Sequence, residues 1–122
     1  MNNNYTNARI LLVDDEYDIS LTFKIVLEES GFIVDSFNDP LLALTNFKAG
    51  TYNLLLLDIK MPKMNGFELC KQLKKIDSSV KVCFITAFDI HKGDIKAAST
   101  ILDNDDDNYD DKHIIQKTNF NE

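Results

Sequence analysis

Four short apolar runs, each closed by a polar residue, alternate with stretches whose apolar residues recur every three or four positions. Arg9-Ile10-Leu11-Leu12-Val13, ended by Asp14-Asp15, is continuous enough to be a strand buried on both faces. From Asp18 to Ser30, Ile19, Phe23, Val26 and Leu27 fall at helical spacing and Gly31 supplies a stop. A second strand follows over 32–37. Asp39-Pro40 then offers a cap and a first-turn proline for a helix carrying Leu41, Leu44 and Phe47, closed by Gly50.

Tyr52-Asn53-Leu54-Leu55-Leu56-Leu57, ended by Asp58, is the most apolar stretch and reads as a central strand. Residues 59–66 form a loop, because Pro62 and the Asn65-Gly66 pair break regular structure. Phe67, Cys70, Leu73 and Ile76 mark a third helix whose later lysines, Lys71, Lys74 and Lys75, complement its dipole. Residues 81–86 form the fourth strand. Such alternation predicts an α/β domain, a parallel sheet covered on both faces by helices. Beyond Phe88 the pattern weakens: a helix over 90–102 contends with Gly93, Thr100 and Ile101.

Composition narrows the classes. With 122 residues, 44% of them hydrophobic, the chain is expected to be one domain, with a flexible start over 1–7, an acidic loop over 103–112 and a short tail over 118–122. No apolar run is long enough for a membrane span, and the start lacks a basic, apolar leader, so a cytoplasmic location is expected. A net charge of -7 opposes direct contact with nucleic acid or anionic lipid. Cys70 and Cys83, in apolar surroundings, read as reduced core thiols. His91 and His113 lie far in sequence from the acidic positions and are expected at the surface.

The chemistry-bearing residues sit where strands end. In a parallel α/β sheet, ligands bind beyond the carboxyl ends of the strands. Asp14 and Asp15 leave the first strand and Asp58 the third, so if these strands are neighbours, three carboxylates share one crevice. Like charges about 4 Å apart repel by about 4 kcal/mol at an effective dielectric near 20, and a cation relieves that. Oxygen-only donors favour Mg²⁺ over zinc or copper. Thr86-Ala87 adds a hydroxyl and a small neighbour, which leaves room for a phosphoryl group that Asp58 could receive as nucleophile. Asp103, Asp105 and Asp107 alternate as in a calcium loop, but Asn108 stands in place of the required glycine, so an EF-hand is rejected.

Together these motifs resemble the receiver domain of two-component response regulators, closely so from Arg9 to about Phe88. The likeness rests on the acidic pair, the lone Asp58 after four leucines, Met61-Pro62, Asn65-Gly66 and Thr86-Ala87. It implies a flavodoxin-like, doubly wound five-stranded parallel sheet in the order 2-1-3-4-5. It also implies Asp58 as the aspartate phosphorylated by a sensor histidine kinase, Asp15 as a direct Mg²⁺ ligand, and Asp14 as its partner acting partly through water. Lys60 matches the position whose backbone carbonyl joins the metal, and Thr86 the switch hydroxyl. The downstream partner is a protein that the sequence does not name.

The departures lie toward the end of the chain. Residues 113–117 resemble the fifth strand and make Lys117 the phosphoryl-binding lysine, with Lys112 as fallback, but Thr118 stands where the family has proline and Ile114 where it has an aromatic. The final helix is expected to be short or missing, which would leave an apolar face open to homodimerisation. A degenerate, receiver-like interaction module that is not stably phosphorylated is the alternative reading. A flavin-binding protein of similar strand order is disfavoured, since the first loop carries carboxylates where a phosphate cradle needs glycine and hydroxyls.

Overall fold

A computed structural model of the chain describes residues 8–86 and the backbone of 114–116. Five strands form one parallel sheet in the order β2-β1-β3-β4-β5: β1 (Arg9–Val13), β2 (Ile33–Phe37), β3 (Leu54–Asp58), β4 (Lys81–Thr86) and β5 (Ile114–Gln116). Three helices connect the first four: α1 (Tyr17–Glu29), α2 (Pro40–Asn46) and α3 (Gly66–Ile76). The doubly wound order is the one expected from the resemblance. The expected start, the 90–102 helix, the acidic loop, the tail and final helix, and residues Ala87, His91, Lys112, His113 and Lys117 lie outside the described residues.

The leucine-rich strands carry four consecutive apolar residues each, 10–13 and 54–57, because alternate residues meet different helical layers. Leu11, Val13, Leu55, Leu57, Val82 and Phe84 pack with Ala43 of α2, with Phe47 just after it, and with Leu69, Cys70 and Leu73 of α3. Ile10, Leu12, Leu56 and Ile85 face the other way, against Phe23 of α1. A slip of one residue would exchange the two faces, so the register is fixed from both sides.

Helical periodicity located the inward faces only in part. Phe23, Cys70 and Leu73 are buried, whereas Val26, Leu41 and Ile76, read as inward, are exposed. Each helix turns only one face to the sheet, so apolar residues at the margin of that face reach solvent. Tyr17, Leu21 and Ile25, one turn apart along α1, are exposed as well. Cys83 is half-buried, and burial pushes its thiol up to about 11, in keeping with a packing role rather than a reactive one. Among the described residues no helix is long and apolar enough to cross a membrane.

Caps explain where α2 and α3 begin. The Asp39 carboxylate accepts the Leu41 N–H at 2.9 Å, with Pro40 in the first turn. Asn65, expected as half of a turn, instead caps α3: its side chain accepts the Glu68 N–H at 2.9 Å while the Asn65 N–H donates to Glu68 Oε1 at 3.2 Å. Asn65→Ala removes the side-chain half of this box and leaves the Asn65 N–H bond to Glu68 in place. It should lower stability by about 1 kcal/mol, read as a lower urea midpoint at unchanged slope.

Candidate functional site

The carboxyl ends of β1 and β3 are adjacent because these strands pair directly, with Val13 opposite Leu57. Asp14 therefore follows β1 beside Asp58, the last residue of β3. Both are buried, at 0% and 2% exposure, in positions that apolar residues would ordinarily occupy. One carboxylate oxygen from each of Asp14, Glu16 and Asp58 lies within 4.8 Å of the others.

Glu16 was not anticipated. Its N–H donates to Asp14 Oδ1 at 2.9 Å, a tight Asx-type turn that brings the chain back over the strand end before α1 starts. The Asp14-x-Glu16 spacing was the available signal, obscured by the adjacent Asp14-Asp15 pair. Asp15, expected as a direct ligand, is exposed and is not one of the three gathered carboxylates. It lines an adjoining groove of about 350 Å³ with Asn38, Asp39, Pro40, Pro62 and Lys63.

The loop after Asp58 is closed from several sides. The Ile59 N–H donates to the Ile85 carbonyl at 2.9 Å, extending the β3–β4 pairing past Asp58, and the Gly66 N–H returns to the Ile59 carbonyl at 2.8 Å. Lys63 adopts φ 74°, a left-handed conformation uncommon for a residue with a side chain. Its ammonium meets Asp39 Oδ2 at 3.2 Å, which ties this loop to the start of α2. The Leu41 N–H, and then Lys63, hold the Asp39 carboxyl below the ordinary carboxylate range.

Lys60 is exposed on that loop, two residues past Asp58. Thr86 is buried at the end of β4, one position beyond Ile85, which pairs with Asp58. The structure thus brings Asp14 and Asp58 together and sets Thr86 at the end of the neighbouring strand. Among the described residues the gathered donors are hard oxygens without thiolate or imidazole, a set that fits Mg²⁺ or Ca²⁺ and not a soft metal.

Comparison with known proteins agrees with this layout. The family model described as "Response regulator receiver domain" matches residues 10–109. The chain is 40% identical over 80 residues to the transcriptional regulatory protein CpxR homolog of Haemophilus influenzae, covering 66% of this chain and 34% of that protein. It thus spans about a third of that relative's length. A receiver domain protein from Methanospirillum hungatei, described as CheY-like, superposes with a TM-score of 0.74 at 28% identity, covering 92% of this chain and 82% of the other. A chain from the crystal structure of the histidine kinase ThkA in complex with the response regulator protein TrrA gives 0.66 at 34% identity, covering 77% and 79%.

Proposed function

This chain belongs to the family of response regulator receiver domains of two-component systems, and from that premise we propose that it is a phosphoacceptor switch. The kinase complex among its structural relatives supports a sensor histidine kinase as phosphoryl donor. An Asp58 carboxylate oxygen attacks phosphorus, the bond to the donor's imidazole nitrogen breaks, and an acyl phosphate forms on Asp58.

The observation that carries this reading is the burial of Asp58 beside Asp14 at the carboxyl end of the central strand, with Glu16 completing the acidic group. Asp14 and Asp58, with Glu16 beside them, Asp15 at the groove and the Lys60 carbonyl, are the groups that would hold Mg²⁺. When bound, the ion supplies positive charge that neutralises the phosphoryl oxygens during transfer. Thr86 serves as the hydroxyl that senses the new charge, and Lys117 as the lysine that holds it. The product is a changed protein-binding surface for a downstream partner, so the domain is a signalling switch and not a metabolic enzyme.

Intact mass after incubation with acetyl phosphate and Mg²⁺ tests the reading. One phosphoryl mass should be gained, mapped to Asp58 and lost when EDTA replaces the metal. A gain at another residue, or none under saturating Mg²⁺, would overturn it. Thr118 in place of the family's proline favours the second reading, an interaction module without stable phosphorylation. That module gains no mass, and its partner binding survives Asp58→Asn.

A further inference from the structure

Asn38 follows β2 and has no part in either strand pairing or helix capping. Its side-chain amide donates to the Asp14 backbone carbonyl at 2.7 Å and to Ser20 Oγ at 3.0 Å. A carbonyl can only accept, so this contact fixes which end of the amide faces Asp14. Ser20, buried on α1, is itself oriented by donating to the Tyr17 carbonyl at 2.9 Å. The Asp14 N–H meanwhile donates to the Phe37 carbonyl at 3.1 Å. Asp14 is therefore gripped through its N–H and its C=O by consecutive residues of the segment leaving β2, and through Oδ1 by Glu16.

We propose that Asn38 is a positioning residue for the cation site, its amide holding the turn after β1 in the shape that gathers Asp14 and Glu16 against Asp58. This rests on the reading of these carboxylates as the receiver's metal centre. The physical need is specific. Before a cation binds, the gathered carboxylates repel one another, and the turn carrying two of them is the part that can yield. Residues 33–37 are locked to β1 by strand pairing, so a clamp from the segment that follows them opposes that spreading directly.

A rigid acidic turn matters most to the smaller ion. Mg²⁺ demands near-octahedral geometry at short distances, whereas Ca²⁺ accepts irregular coordination. Loss of the clamp should therefore change discrimination between ions and not only overall stability.

The test is calorimetric titration of EDTA-stripped wild-type and Asn38→Ala protein with MgCl₂ or with CaCl₂. Mg²⁺ affinity should fall by roughly tenfold or more, the size typical for loss of a group that orients a metal ligand, and Ca²⁺ affinity by clearly less. In the metal-free protein the amide resonance of Asp15, whose peptide carbonyl is that of Asp14, should shift. An unchanged Mg²⁺ affinity, or equal losses for both ions, overturns the proposal. Should Asn38→Ala not fold, Ser20→Ala, which removes the amide's second anchor, must show the same preferential loss of Mg²⁺. Equal affinities for both ions in Ser20→Ala and wild type then overturn the proposal. Wild-type protein that takes up no Mg²⁺ overturns the receiver reading as well, whereas normal wild-type binding with an unaffected variant overturns this inference alone.

Discussion

Asp58→Asn is expected to make the metal-free protein more stable and to remove its stabilisation by Mg²⁺. Asp14 and Asp58 are both buried, with carboxylate oxygens within 4.8 Å of each other. Two unit charges at that separation repel by about 3.5 kcal/mol at an effective dielectric near 20. Glu16 is exposed, so its share of the repulsion is screened by solvent and the Asp14–Asp58 pair dominates. Asparagine keeps the shape and removes the charge. After allowing for hydrogen bonds made by the carboxylate and not by the amide, a net gain of about 1–2 kcal/mol remains. At roughly 4 °C per kcal/mol that is a rise of several degrees in melting temperature in EDTA.

With Mg²⁺ the ordering should change. A ligand that binds only the native state stabilises it by RT ln(1 + [L]/Kd), about 2.7 kcal/mol at a hundredfold excess over Kd. Wild type should gain that increment and Asp58→Asn little of it, so the two melting curves approach or cross as the metal is raised. A variant that melts below wild type in EDTA would show that Asp58 is held by favourable contacts and is not under charge strain. The same substitution should also abolish the phosphoryl mass gain, linking one residue to stability, metal binding and chemistry.

The strands were legible in the sequence because a sheet buried on both faces demands uninterrupted apolar runs, and Leu54 to Leu57 satisfies that demand without ambiguity. The acidic ends were legible for the opposite reason, since a carboxylate directly after such a run has no place in a core. Glu16 was not, because its approach to Asp58 depends on the turn made when its own N–H binds Asp14. Asn38 was silent for a similar reason: its partners are a backbone carbonyl and a buried hydroxyl, and neither leaves a mark in residue pattern. Local spacing thus revealed which groups carry charge, while hydrogen bonds between loops decide which of those groups meet.

Asn65-Gly66 shows how a correct local signal can carry the wrong cause, and its second residue yields the largest expected loss of stability. The pair reads as a turn, yet Asn65 is a helix cap and Gly66 is the first residue of α3. Glycine is required there by space. A Cβ built on Gly66 would collide with the Asp58 carbonyl oxygen and lie 2.9 Å from its carbon and 3.0 Å from Ile59 Cα. All three are backbone atoms at the end of the central strand, fixed by pairing with β4, so no flexible side chain can move aside.

Gly66→Ala should therefore cost about 3 kcal/mol or more, at or above the upper end of ordinary overpacking. Gly50→Ala is the informative comparison. Gly50 has φ 80° but nothing within 4 Å of a built Cβ, so its substitution should cost only the left-handed backbone penalty, about 1–2 kcal/mol. Urea unfolding of both variants separates the two causes, and a Gly66→Ala midpoint no lower than that of Gly50→Ala would refute the steric argument. The site provides a second reading of the same event. Relief of the collision must displace either the start of α3 or the peptide of Asp58, so Gly66→Ala should also weaken Mg²⁺ binding, whereas Gly50→Ala should leave it unchanged.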